Sequence, residues 1–262
     1  MEYVDAHIHL SDPEYEAQVH GILEDARRAD IVALVSNSMN LQTSLRSIEL
    51  TEEYPGFVFA ALGIHPWNVK KLSQNELEQT VDLISSHCQH RGVVAVGEIG
   101  LDYKYVKRGK EELVNTQYEV FCKMLQLSEK LSLPAIIHSR GTTVEIIDML
   151  PSYNVKRVLL HWFSNPIELL PRIVEQGYFI SEGPATLFSD NIKEIVRRIP
   201  LANLLTETDG PVRFFKQPFD GKRASPVHVP LVVEAVAKIR GQERVEVAEQ
   251  IHENFVGFFG TE

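Results

Sequence analysis

The stretch from residue 93 to residue 139 decides the fold class. It opens with the apolar run VVAVGEIG (93–100), continues through TQYEVFCKMLQLSEKL (116–131) and closes with PAIIHS (134–139). The two short runs are rich in β-branched and apolar residues, as buried strands are, and the longer one has apolar residues at helical spacing. A strand, a helix and a second strand in this order predict two parallel strands joined by a crossover helix.

Six further apolar runs of the same kind flank this unit on both sides: YVDAHI (3–8), IVALVSN (31–37), FVFAALGI (57–64), RVLLHW (157–162), GYFISEG (177–183) and NLLTETD (203–209). Segments with helical spacing lie between them, including VHGILEDARRA (19–29), ELEQTVDLISSH (76–87) and NIKEIVRRI (191–199). Eight strands that alternate with helices predict an α/β fold, a (β/α)8 TIM barrel. Because no linker, low-complexity run or internal repeat interrupts the pattern, we expect a single domain over residues 1–262.

The composition favours a cytoplasmic protein with no membrane contact and gives no sign of an obligatory protein partner. The 262 residues are 44% hydrophobic, yet no apolar run approaches the roughly 20 residues of a membrane span. The N-terminus, MEYVDAH, lacks the basic and apolar regions of a signal peptide. Cys88 and Cys122 match neither a zinc pattern nor a disulfide framework, so we expect two free thiols.

Polar residues stand at the ends of most predicted strands, where the chemistry of such barrels gathers. They are His7, His9, His65, Glu98, His138, His161 and Asp209. Four of these imidazoles together with the two carboxylates, and no thiolate, suit a pair of divalent cations bridged by one carboxylate. Glu98, in the middle strand of the set, is the natural bridge. The other histidines fall on helices or loops, and we expect them to be solvated or capping: His20, His87, His90, His228 and His252.

At these residues the chain resembles the TatD family of metal-dependent deoxyribonucleases, within the amidohydrolase-like superfamily. The matching stretches, in family order, are DAHIHL (5–10), GIHPW (63–67), VGEIGLDY (96–103), LPAIIHSR (133–140), HWFS (161–164) and TETDGP (206–211), and EVAEQIHENFVGFF (246–259) resembles the closing helix of the family. The segment GEIGLDY, with its glutamate on strand four, is the most specific of them, because related lactonases and phosphotriesterases typically carry a lysine there.

The resemblance implies a role for each of these side chains. His7, His9 and Asp209 would bind one metal ion, His138 and His161 the second, and Glu98 would bridge the two. His65 would contact the substrate phosphate, or alternatively support a ligand. Asp102 and Glu207 would hold ligands in place, or instead cap strand ends. The metal stays open among Zn²⁺, Mg²⁺ and Mn²⁺.

The resemblance further implies a 3′-5′ exonuclease that acts on single-stranded or frayed DNA ends. Two divalent cations would lower the pKa of a bridging water to about 7, and the hydroxide would attack phosphorus in line. Asp209 would accept a proton, while His65 and Arg140 would stabilise charge on the nonbridging oxygens. Arg140 has an alternative role, in a salt bridge within its loop.

The distribution of charge supports a polyanionic substrate. The net charge is −10, yet residues 101–110 and 210–227 each carry four Lys or Arg and one Asp, which leaves −16 on the rest of the chain. Both loops also carry aromatic residues, and basic groups beside rings are typical of single-strand binding. The candidate substrate-binding residues are therefore His65, Arg140, Tyr103, Lys216 and Arg223, with Tyr105, Phe214, Phe215 and Phe219 as candidate stacking rings.

Two departures from the family pattern concern the position of the substrate. Asn165 stands after HWFS, where the family often has glycine, and Ser225 precedes Pro226 where it often has NEP. A hydrolase of small molecules, such as a lactone, a cyclic amide or a phosphate ester, therefore remains the alternative. A metal-binding partner protein without turnover is a third reading, and the intact ligand set speaks against it.

Overall fold

Eight parallel strands form one sheet, and each strand pairs with its neighbours along the chain. The computed structural model describes residues 1–104 and 110–261. The strands are β1 (Tyr3–Ile8), β2 (Ile31–Asn37), β3 (Val58–Leu62), β4 (Val93–Asp102), β5 (Ala135–Arg140), β6 (Val158–Leu160), β7 (Phe179–Glu182) and β8 (Leu204–Thr206). Thr206 Oγ1 donates to the Val4 carbonyl at 2.8 Å and the Asp209 amide donates to the His7 carbonyl at 2.9 Å. These bonds join the last strand to the first, and the predicted (β/α)8 TIM barrel is confirmed.

Helices cover the outside of the barrel. They are α1 (Val19–Arg28), α2 (Leu41–Glu53), α3 (Gln74–His87), α4 (Glu111–Leu131), α5 (Thr143–Met149), α6 (Leu170–Glu175), α7 (Asp190–Arg198), α8 (Val229–Arg240) and α9 (Arg244–Phe259). Local sequence explains several of their ends. Asn40 and Thr43 form a capping box at the start of α2, and Gly260 ends α9 with a left-handed φ of 71°.

The strands are buried on both faces, which is why they read as continuous apolar runs. Every residue of β1, β3 and β4 is buried. Helices pack against the outer face, and side chains from neighbouring strands fill the inside of the barrel. Within the described residues, no helix combines the length and the hydropathy that a membrane crossing needs. Cys88 and Cys122 are free thiols, as expected.

One predicted strand end is wrong, and it concerns a candidate ligand. Glu98 lies inside β4, which continues to Asp102. The strand is longer because its pairing with β5 persists: Gly100 lies opposite His138, and Asp102 lies opposite Arg140. By contrast, β6 and β8 have three residues each, so that His161 directly follows β6 and Asp209 lies three residues beyond β8.

Candidate metal centre

His7, His9 and Asp209 meet where β1 closes against β8. The His7 and His9 Nε2 atoms are 3.3 Å apart, and each lies 3.4 Å from Asp209 Oδ1. The buried Asp5 carboxylate ties this corner together, because it accepts from the His7 amide at 3.2 Å and from the Thr208 hydroxyl at 2.5 Å. The backbone on both sides of His7 and of Asp209 is therefore held in place by hydrogen bonds.

Glu98 lies between these histidines and a second group. Its Oε2 atom is 3.4 Å from His7 Nε2 and 3.2 Å from His9 Nε2. Its Oε1 atom is 2.9 Å from His138 Nδ1 and 2.8 Å from His161 Nε2. One buried carboxylate thus faces the His7 and His9 rings with Oε2 and the His138 and His161 rings with Oε1, and Oε1 also lies 3.3 Å from His65 Nε2. We call His7, His9, Glu98, His138, His161 and Asp209 the ligand cluster.

Glycine lets β4 approach β5 closely enough to bring Glu98 beside His138. Gly100 has a φ of 149°, and a Cβ atom there would lie 2.0 Å from the His138 carbonyl oxygen. A Cβ atom on Gly97 would lie 2.7 Å from the Ile136 Cβ. Any larger residue at either position would push the two strands apart. The glycines of the segment GEIGLDY are therefore required by the backbone geometry of the site.

In two cluster histidines the outer ring nitrogen, the one that points away from Glu98 Oε1 and Oε2, has a hydrogen-bond acceptor. His9 Nδ1 lies 2.9 Å from the Asn37 carbonyl oxygen, and His138 Nε2 lies 3.1 Å from Asp102 Oδ2. His161 Nδ1 lies 3.6 Å from Glu207 Oε1, too far for a hydrogen bond. An acceptor on the outer nitrogen holds the proton there and leaves the lone pair of the inner nitrogen for a cation.

His65 has the opposite arrangement. Its Nδ1 atom accepts from the Trp67 backbone amide at 3.1 Å, so the neutral ring carries its proton on Nε2. That Nε2 atom lies 3.3 Å from Glu98 Oε1. By distance alone, His65 could form a ligand triad with Glu98 and His138. To bind a cation through Nε2, however, the ring would have to change tautomer and lose the Trp67 hydrogen bond.

Burial and mutual charge set the protonation of the cluster. Burial works against a charged Glu98, but the His65, His161 and His7 rings outweigh it and hold the pKa of that carboxyl well below its usual range. Burial lowers the pKa of His7 to about 3 and that of His65 to about 4. At His9 burial acts in the same direction, but Asp209 and Glu98 raise its pKa to about 10. Proton-bearing histidines thus balance the buried carboxylates, and divalent cations binding here would displace such protons.

The donor atoms fit divalent cations. Two ligands about 2.05 Å from one tetrahedral ion lie about 3.3 Å apart, and the inner nitrogens of His7 and His9 are 3.3 Å apart while those of His138 and His161 are 3.4 Å apart. Glu98 Oε2, although buried, forms no hydrogen bond with any described residue. Within the described residues, three triads have donor atoms close enough for one ion: Glu98 with His7 and His9, Glu98 with His65 and His138, and Asp209 with His7 and His161.

The model of the family described as TatD related DNase matches residues 4–260. The chain belongs to the TatD family. A metal-dependent hydrolase of Methanocaldococcus jannaschii without a characterised function is 32% identical, covering 99% of this chain and 97% of its own length. The human deoxyribonuclease TATDN3 is 29% identical, with coverages of 98% and 94%. The crystal structure of the Escherichia coli TatD homologue YjjV superposes with a TM-score of 0.89 at 27% identity, over 98% of each chain. This TatD-family chain is therefore a metal-dependent hydrolase.

The predicted substrate-binding residues of this TatD-family protein lie on the loops around the cluster. Arg140 is exposed at the end of β5. Tyr103 is half-buried, and its hydroxyl donates to Glu145 Oε1 at 2.9 Å. Lys216 is exposed. Arg223 is partly buried, and its guanidinium donates to Gln18 Oε1 at 2.5 Å and lies 5.4 Å from the centre of the Tyr15 ring.

Two of the predicted stacking rings are wrong. Phe214 and Phe219 are buried, with ring centres 5.7 Å apart, because they anchor the 210–227 loop to the barrel beside Phe188. Phe215, between them in sequence, is 80% exposed, and its stacking role stays a prediction. In the 101–110 loop, Tyr105, Lys107 and Arg108 lie outside the described residues.

Sequence reasoning missed Glu182, at the end of β7. Both of its carboxylate oxygens are buried and form no hydrogen bond with any described residue. Burial, reinforced by Glu207, raises its pKa well above the usual range. Inspection of polar residues at strand ends would have found it, since it lies in the apolar run 177–183.

Trp67 was also missed: its indole Nε1 donates to Asp102 Oδ2 at 2.7 Å, beside His138.

Proposed function

We propose that this protein is a deoxyribonuclease that uses two divalent metal ions to remove nucleotides from the 3′ ends of single-stranded or frayed DNA. The observation that supports it most directly is Glu98, a buried carboxylate with Oε2 facing His7 and His9 and Oε1 facing His138 and His161 at 2.8–3.4 Å, with His65 as a third ring on Oε1 at 3.3 Å. The relatives named as deoxyribonucleases and the TatD related DNase model favour DNA over other esters.

The ligand cluster divides into two sets that share Glu98. His7, His9 and Asp209 would hold one ion and His138 and His161 the other, since the inner nitrogens within each pair of histidines are 3.3–3.4 Å apart. The proposed set leaves His65 out, because its Nε2 atom carries the proton while Nδ1 accepts from Trp67. The bound cations supply Lewis-acid stabilisation of phosphate charge and a water of lowered pKa.

The side chains of the protein position the substrate and move its protons. His65 can donate Nε2–H to a nonbridging phosphate oxygen, and burial, which lowers its pKa to about 4, keeps the ring neutral near pH 7. Asp209 retains about 10% exposure of its side chain, so it faces the mouth of the barrel and can accept the proton of the attacking water. Arg140, exposed at the end of β5, can approach the same phosphate.

The loops favour a strand that enters by its end. The cluster side chains are at most 14% exposed, so a duplex cannot bring its backbone against them without fraying. Lys216 and Phe215 lie together on the surface of the 210–227 loop, where a cation can meet a phosphate and a ring can stack on a base.

The test compares DNA substrates that differ only in their ends. Metal-loaded protein is incubated with a 3′-labelled linear single strand, a blunt duplex and a closed single-stranded circle. A chromogenic phosphodiester and a lactone are assayed in parallel. We expect release of the 3′ nucleotide from the linear strand, slower release from the duplex and no cleavage of the circle. Efficient cutting of the circle would refute end entry, and turnover of the lactone with no DNA cleavage would favour the small-molecule hydrolase.

A further inference from the structure

A cleft of about 640 Å³ is lined by the loops that follow β5 and β6 and by side chains of α4 and α5. Its volume lies within the roughly 300–1,000 Å³ of ordinary ligand pockets. The residues that matter for its chemistry are the largely apolar Tyr118, Val144 and Pro166 and the polar Glu145, Asp148 and Asn165.

Short connections limit the distance between the cleft and the ligand cluster. Gly141, on its wall, follows His138 by three residues, and Asn165 follows His161 by four. An extended chain spans at most about 3.6 Å per residue, so neither wall is more than about 15 Å from its ligand. Tyr103 forms a second link: its hydroxyl donates to Glu145, and the residue before it, Asp102, contacts His138.

The lining excludes a phosphate and suits a base. Among the described residues that line the cleft there is no Lys or Arg, whereas Glu145 and Asp148 are carboxylates. Two cations of the described residues contact the lining from outside it: Lys104 packs against Gly141, and Arg172 donates to Asp148 at 2.5 Å. A sugar-phosphate backbone would therefore remain outside, near the basic rim.

The apolar side of the cleft offers surface to the face of a ring. Tyr118 is 42% exposed and Val144 is 53% exposed, so both present apolar surface to a ligand. A base can stack on the ring of Tyr118.

The polar side selects among bases. A carboxylate accepts hydrogen bonds and repels other acceptors, so Glu145 and Asp148 favour an exocyclic amine over a carbonyl oxygen. Each carboxylate has lone pairs left after it accepts a hydrogen bond from Tyr103 or from Arg172. Asn165 can donate to the ring nitrogen or carbonyl next to such an amine.

We propose that this cleft binds the base of a nucleotide next to the scissile phosphate and prefers bases with an exocyclic amine, such as cytosine, over uracil or thymine. The inference rests on the proposed deoxyribonuclease function for its setting, but the selectivity of the cleft is measured separately from cleavage.

The experiment uses single-stranded octamers of deoxycytidine and of deoxyuridine, because the two bases have the same size and differ at position 4 and the adjacent nitrogen. We expect kcat/KM of the metal-loaded protein to be about tenfold higher for the cytosine octamer, as one net hydrogen bond would give. Equilibrium binding is measured in parallel by fluorescence anisotropy in EDTA, with the same tenfold preference expected.

Three variants test whether the lining of the cleft is the source of the preference for cytosine over uracil. Asn165→Ala and Glu145→Gln should bring the cytosine-to-uracil ratio close to one, and the glutamine still accepts the Tyr103 hydroxyl. Glu168→Gln removes the same charge from an exposed residue outside the lining and should keep the ratio. Because each ratio compares two substrates on one protein sample, a smaller fraction of folded protein lowers both values equally and leaves the ratio unchanged.

The outcomes separate the two proposals. Equal kcat/KM and equal binding of the two octamers by the unaltered protein would overturn the cleft assignment and leave the nuclease intact. A preference that survives both lining variants would also overturn it. If neither octamer is cut, the nuclease proposal fails, and the binding ratio in EDTA still decides whether the cleft recognises the amine.

Discussion

Replacing His65 by alanine tests whether this ring acts on the substrate or on a metal ion. In the structure its Nδ1 accepts from the Trp67 amide and its Nε2 carries the proton. The variant would lose one hydrogen bond to a charged phosphate, worth about 1.5–3 kcal/mol. At about 1.4 kcal/mol per factor of ten, kcat/KM should fall by about 10- to 150-fold.

The metal content of the His65→Ala protein is the decisive second measurement. We expect the same number of ions per chain as in the unaltered protein, measured by elemental analysis after dialysis against limiting metal. His65→Gln is the matched control, because a glutamine amide can place a donor near the position of Nε2 and should recover part of the lost rate. Loss of an ion in the alanine variant would show that His65 is a ligand and refute the tautomer argument.

Three further predictions address the cluster, the closure of the barrel and the substrate. Glu98→Gln should remove most turnover and at least one ion, because a neutral amide bridges two cations poorly; full metal content with full activity would contradict the bridging role. Thr208→Val should lower the free energy of unfolding by about 1–3 kcal/mol in urea titration, because the buried Asp5 carboxylate loses its hydroxyl donor; an unchanged midpoint would count against that contact. For oligonucleotide binding by inactive protein, contacts with about 2–4 phosphates predict a slope of log K against log salt of roughly −1.4 to −2.8. Lys216→Glu should weaken oligonucleotide binding and flatten the slope. A slope as steep as that of a groove-binding protein would refute the prediction that only about 2–4 phosphates are contacted.

The sequence by itself determined the barrel and the identity of the candidate ligands. Strands buried on both faces are apolar along their whole length, so the eight runs were visible without any knowledge of tertiary contacts. Ligands at the ends of parallel strands gather at one face whatever the details of packing, which is why His7, His138 and His161 could be grouped before their distances were known.

Only the tertiary structure decided which residues of one type are buried or exposed and which hydrogen-bond partners they have. Phe214 and Phe215 are adjacent in sequence, yet one is buried and the other is 80% exposed, because the path of the 210–227 loop is set by contacts with Phe188 and the barrel. The tautomer of each histidine depends on whether its Nδ1 atom faces a donor or an acceptor. For His65 it faces the amide of Trp67, two residues along the chain, and for His9 it faces the carbonyl of Asn37, 28 residues away. The cleft likewise exists only because the loops after β5 and β6 are brought together. Apart from local contacts such as that of Trp67 with His65, these side-chain environments are set by segments distant in the chain, about which the local hydrophobic pattern carries little information.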